Sequence, residues 1–380
     1  MLDEDNIDHV EHVTDDKDDR DGEARRRWVP YVRFVAWCLL GALLVGTAVY
    51  VWWQAKPSEQ DLRHQALLDT KSELRIGVMP DMPGVSLFDE TTKTYSGFDI
   101  DIAYMVAADL GFQPRQVRFY TMNNEDRDKA SVLDPSTRQS VQLDLVVASY
   151  SITDARQAKP YVNFSSPYLR TEQSVVTRAG HAPVRSPADL TKPPAHPDKP
   201  EVVCTLGTST AETPTTQVEN RISDCMRRLT APDHDVDAVL TDAAILAGFV
   251  YRDQQSGRNQ LKLHNISIDG EERWGISTGG HTDDKEALRK LVNLSLYRSQ
   301  HDPTDRRWED AFDRWLGPEQ SAAGDQRVAI DVQPDAEKEE VREWPWQTLG
   351  LGRDNRTPVE QARLGQLRRS RRSRRRRRAS

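Results

Sequence analysis

From Phe34 to Trp53 the chain runs twenty residues without a charge. At a rise of about 1.5 Å per residue, such a stretch is as long as the hydrocarbon core of a bilayer is thick. It reads as a transmembrane helix, which divides the remainder of the chain between two compartments. Trp52 and Trp53 stand where an interfacial aromatic belt anchors a span, and Arg33 can snorkel to the other headgroup layer. Arg25, Arg26, Arg27 and Arg33 crowd the amino-terminal flank, whereas Lys56, Arg63 and Lys71 are dispersed beyond the run. The positive-inside rule then puts the amino terminus in the cytoplasm and the large remaining part outside, as a single-pass protein of the cell membrane. A buried core helix and a cleaved signal peptide are the two other readings. Against the second, the run is longer than a usual signal-peptide core, and no small-x-small site follows Trp53.

The 37% hydrophobic content over 380 residues supplies a proper core once the ends are set aside. Residues 1–28 are acidic and poor in apolar side chains, and read as a disordered cytoplasmic tail. Residues 29–53 form the span, 54–71 a linker and 72–317 the folded domain. Residues 318–380 read as a second disordered tail, rich in Pro, Gln, Gly and charge. It ends in Arg368, Arg369, Arg371, Arg372 and Arg374 through Arg378. That block would be drawn to anionic lipids or envelope polymers by about 1 kcal/mol per Arg near a charged surface. A solvated tail without a dedicated partner is the competing reading.

Within 72–317 short apolar strands alternate with helical stretches, an α/β pattern. The run Leu143 to Ala148 is apolar and β-branched, reading as a central strand whose carboxyl end delivers Ser149, Ser151 and Arg156 to a crevice. A planar, permanently charged guanidinium at such a place can hold a carboxylate bidentately, so Arg156 is the candidate for the ligand carboxylate; a structural salt bridge is the alternative. Gly207 to Thr210 follow the strand Val202 to Thr205 and open a helix. There Thr208, Ser209 and Thr210 offer hydroxyls and backbone N–H groups to the same anion, or simply cap that helix. Asp242 ends the strand Val236 to Leu240, where a carboxylate can take an ammonium group; capping the helix that follows is its other possible role. Arg156 and Asp242 together match an α-amino acid zwitterion.

The stretch Ser149-Tyr150-Ser151-Ile152-Thr153-Asp154-Ala155-Arg156 resembles the S-x-S-I-T-x-x-R signature of the amino-acid-binding type II periplasmic solute-binding proteins, the receptors of polar amino-acid ABC importers. The resemblance continues in order through Leu74 to Val78, Gly97 to Asp101, Phe164 to Tyr168, Ser186 to Leu190, Gly207 to Thr210, Val236 to Asp242 and Phe312 to Gly317. It implies a two-lobed α/β fold with a hinge, lobe 1 from about 72–170 and 273–317 and lobe 2 from about 171–272, with crossovers near Leu169 to Thr171 and Gly270 to Gly275. The family's carboxylate-binding Arg, hydroxyls and ammonium-binding Asp map onto Arg156, Ser149 with Ser151, and Asp242. Relatives are commonly secreted or anchored through a lipidated cysteine, but Cys38 lies inside the apolar run without a lipobox. Met79 stands where basic-amino-acid binders often carry an acid, and Met82 near their stacking aromatic, which disfavours a cationic ligand. Arg127 falls where acidic-amino-acid receptors place an Arg for the distal carboxylate; an exposed surface Arg is the alternative. Cys204 and Cys225 both fall in the implied second lobe, on a strand and on the helix after it, where an oxidising compartment would preserve a disulfide. Two separate buried thiols remain the other reading. The Pro-rich run His181 to Pro200 reads as a surface loop carrying an insertion.

An enzyme is the rival class. Gly207-x-Ser209 approaches a nucleophile elbow, but G-x-S-x-G fails at Ala211. No metal-ligand motif, cofactor fingerprint or linked His accompanies it, so no catalytic residue, metal or cofactor is expected. The functional expectation is an extracytoplasmic receptor closing on glutamate, glutamine or aspartate for an ABC importer. The alternative is a sensor of the same ligands that signals through a partner membrane protein.

Overall fold

In the computed structural model, residues 16–134, 136–193, 198, 200–207, 215–266 and 270–342 are described. The chain divides into two units between Pro57 and Ser58. The first is a single helix, Asp16–Gln54, whose portion Pro30–Gln54 is long and apolar enough to cross a membrane. Its apolar side chains, Trp37, Leu43, Val45 and Trp52 among them, stand exposed. The helix begins well before the anticipated boundary, so residues 16–28 are not the disordered tail their polar, charged composition suggests. Once the apolar span has paid for nucleation, each further residue adds a hydrogen bond at little entropic cost, and polar residues propagate a helix readily.

The second unit contains a nine-stranded sheet built of two parallel groups. In one, Leu74–Val78 lies between Val117–Thr121 and Leu145–Val146. In the other, Val203–Leu206 lies between Thr216–Glu219 and Ala238–Asp242. Apart from the exposed Arg75, every residue of the two central strands is buried, which explains their near-continuous apolar composition. The groups are joined through the fifteen-residue strand Phe164–Arg178. Its first half pairs antiparallel with Glu271–Ser277, as far as Glu172 opposite Glu271. From Gln173, opposite Asp242, it pairs with Ala238–Asp242, and Leu261–His264 covers its other edge. One strand thus belongs to both halves. Tyr168, Trp274, Trp308 and Phe98 fill the centre beneath it.

The folded unit extends beyond both anticipated ends. The segment taken as a linker carries the helix Glu59–Gln65, capped reciprocally by Ser58 and Asp61, with Leu62 buried and Glu59 paired to Arg298 at 2.7 Å. At the other end the helix Arg307–Ala322 runs straight through Gly317 and Pro318. Residues 323–342 then lie against the unit, burying Gln326 and Val328. The end read at Gly317 fails because the lost hydrogen bond and ring clash at Pro318, about 3 kcal/mol in a helix interior, are offset by tertiary burial of Leu316 and Phe312. The Pro-rich loop is likewise partly anchored: Val184 and Leu190 pack in a second apolar cluster with Val175, Val203 and Leu240. Cys204 and Cys225 form a disulfide with a Cα separation of 5.5 Å, tying the strand Val203–Leu206 to the helix Ile222–Thr230.

Candidate ligand-binding site

The strand ending at Val146 leads into a turn at Ser149, whose φ of 46° lies in the left-handed region. That conformation costs a non-glycine residue of order 1 kcal/mol. It is held by Asp99, whose Oδ2 accepts from Ser149 N at 2.8 Å and from Ser149 Oγ at 3.0 Å. Tyr168 donates its hydroxyl to the other oxygen at 2.8 Å. Asp99 is fully buried, and burial raises its carboxyl to about 6. Asp99 lies in the first turn of the helix Phe98–Asp109, which starts from Gly97 without a side-chain cap. One sequence-based assignment changes here. Ser149 gives its only hydroxyl proton to Asp99, and so has none for a ligand carboxylate.

Ser151 is buried and bridges Trp274; its carbonyl accepts from Arg156 Nη1 at 2.8 Å. Arg156 sits in the one-turn helix Asp154–Gln157, capped by Thr153, and its guanidinium lies 5.0 Å from the centre of the Tyr150 ring. Arg127 approaches the same ring at 4.9 Å. It is not a surface residue: only 3% of it is exposed, and it donates to the carbonyls of Ala148, Ser149 and Asn124 at 3.3 to 3.4 Å. Burial, followed by the charge of Arg156, lowers its pKa to about 10. Tyr150 is therefore the platform for two buried cations. Its hydroxyl donates to Asp128, which also pairs with Lys159.

Asp242, at the end of its strand, accepts from Trp274 Nε1 at 2.6 Å. Burial, reinforced by the charge of Glu272, raises its carboxyl to about 7, while Trp274, Arg156 and Arg127 pull it back. The structure thus brings Arg127, Arg156, Ser151 and Asp242 into one electrostatic neighbourhood. Thr208, Ser209 and Thr210 lie outside the described residues. Met79 and Met82 are fully buried, and Met82 Sδ lies 3.6 Å from Ser149 Oγ. Sequence reasoning missed Tyr150, Trp274 and Glu272. Tyr150 stood between the two serines that attracted notice, and an aromatic wedged between two strand-end hydroxyls was itself a usable signal.

The profile of the bacterial extracellular solute-binding proteins, family 3, matches residues 74–318. The chain belongs to this family. Among curated proteins, this family 3 member is 28% identical over 252 residues to the glutamate-binding protein GluB of Corynebacterium efficiens, covering 61% of this chain and 76% of that one. It is 24% identical over 270 residues to the ABC transporter glutamine-binding protein GlnH of Bacillus subtilis, covering 69% and 87%. Among solved structures it resembles the cysteine-binding protein of Campylobacter jejuni, with a TM-score of 0.54 at 20% identity over 70% of this chain and 98% of the other. That likeness concerns the fold, which is the two-lobed α/β arrangement of the periplasmic binding proteins. Residues 319–342 lie past the family match.

Proposed function

We propose that this family 3 protein is a membrane-anchored receptor that closes its two lobes, about 72–170 with 273–317 and about 171–272, on an acidic or amide α-amino acid for an ABC importer. The observation that carries this is the pair of buried guanidiniums on Tyr150 together with the buried carboxyl of Asp242. Arg156 takes the α-carboxylate and Asp242 the ammonium. That leaves Arg127 as an additional buried cation, which a ligand with a distal carboxylate neutralises and a lysine or arginine side chain opposes. Ser151 lines the carboxylate end. The resemblance to glutamate- and glutamine-binding proteins supports the same class. The apolar helix remains as the anchor, with the amino terminus cytoplasmic and the binding unit outside. Protease added to intact cells should then remove everything beyond Trp53. Calorimetry on the purified chain should rank L-glutamate, L-aspartate and L-glutamine above L-lysine, L-arginine and L-histidine. Tight L-arginine binding without L-glutamate binding refutes the assignment.

A further inference from the structure

Asp242 is also the residue from which the helix Ala243–Gln255 starts. An aspartate in that position ordinarily turns back and accepts from the N–H of the second or third helical residue. Here its side chain makes no such bond. The second residue's N–H, that of Ala244, donates instead to Thr171 Oγ1 at 3.2 Å. The Thr171 hydroxyl in turn donates to Val328 O at 2.5 Å, which fixes its proton and leaves its lone pairs for the helix. Val328 belongs to the segment past the family match, and that segment is held along the shared strand. Thr171 bridges Ala329, and Ile330 N donates to Arg170 O at 2.9 Å. Gln326 Oε1 accepts from Ile266 N at 2.8 Å and from Ser174 Oγ at 3.2 Å.

We propose that Thr171 is a positioning residue of the ligand site: it satisfies the helix N-terminus in place of Asp242, so that the carboxylate stays turned toward the ligand, and the strap 326–330 holds Thr171 in that role. This rests on the assignment of Asp242 to the ligand ammonium. Valine at 171 keeps the volume but offers no oxygen, so the freed Ala244 N–H draws Asp242 into an ordinary cap. A carboxylate that accepts from a backbone N–H titrates lower. The other groups facing Asp242 are Glu272 and Trp274 from one strand, Tyr168 from the shared strand, and Arg156 and Arg127. These side chains are unaltered in the variant; Asp99, which holds Tyr168, titrates at about 6, so an Asp99→Asn background separates its part of the acid limb from that of Asp242.

The test is calorimetry of L-glutamate binding to the full chain between about pH 5.5 and 8. Thr171→Val should weaken binding at pH 8 about five- to tenfold, roughly 1 to 1.4 kcal/mol. It should also move the acid limb of the affinity profile to lower pH, and Thr171→Ser should restore both. A folded Thr171→Val with parental affinity and an unmoved acid limb, alongside an Asp242→Asn variant that has lost binding, overturns the positioning role. An Asp242→Asn variant that binds as tightly as the parent at pH 8 overturns the ammonium assignment instead, and the proposal with it. Should Thr171→Val not fold, Gln326→Leu, which releases the strap from Ser174 and Ile266, must shift the limb in the same direction; an unmoved limb there is equally decisive.

Discussion

Acidification should weaken ligand binding through Asp242. The gap between its value of about 7 and the ordinary 3.8 corresponds to about 4 kcal/mol of penalty on the buried, ionised form. An ammonium ligand needs that form and lifts the penalty. Relative to pH 8, the dissociation constant should rise about twofold at pH 7 and about tenfold at pH 6, with about half a proton released per ligand bound at pH 7. Without ligand the sign for stability is the opposite of the usual aspartate. The folded state binds more protons than the unfolded one, so stability falls as pH rises from about 4 to about 7 and levels off above. Calorimetry of L-glutamate in two buffers of different ionisation heat measures affinity and proton release together, and the ligand's side chain, at about 4.3, stays ionised over the window. Asp99, held at about 6 chiefly by burial, titrates nearby, and an Asp242→Asn control separates the two. A flat affinity from pH 5.5 to 8 with no proton release would refute the reasoning.

Other consequences are as direct. Arg156→Ala should cost at least tenfold in affinity, since a charged hydrogen bond contributes about 1.5 to 3 kcal/mol, whereas Arg127→Met should shift preference from glutamate toward glutamine; competition calorimetry reads both. Replacing Cys204 and Cys225 with serine, at a sequence separation of 21, should lower unfolding free energy by about 3 kcal/mol in urea titration. Gly248→Ala puts a Cβ 2.0 Å from Pro83 O, so the helix Ala243–Gln255 must retreat from the Pro83 turn, at about 1 to 3 kcal/mol in a thermal melt.

The strand ends were legible because they combine a short β-branched run with abrupt polar chemistry, which is how Arg156 and Asp242 came into view. The burial of Arg127 was not. Its segment Asn124–Lys129 is polar throughout and reads as surface, yet backbone carbonyls of Ala148 and Ser149, distant in sequence, satisfy the guanidinium inside. Ser149 misled for a related reason: its partner Asp99 lies fifty residues earlier, and no local pattern announces the bond. Residues 323–342 escaped because backbone and amide hydrogen bonds hold much of them in place, and such bonds leave no apolar period to detect. The disulfide was legible once both cysteines fell on adjacent elements of one half.

The strand Phe164–Arg178 has a consequence for how this chain can change length over evolutionary time. Successive side chains point to opposite faces, so one residue gained or lost near Glu172 would exchange the faces of everything on one side of it. Tyr168 and Thr171 would leave Asp99 and Ala244, or Ser174 on the other side would leave His264 and Gln326. Insertions are therefore tolerable in the Pro-rich segment after His181 and intolerable nine residues before it, a sharp boundary that a scan of single-residue insertions would draw as a step in survival.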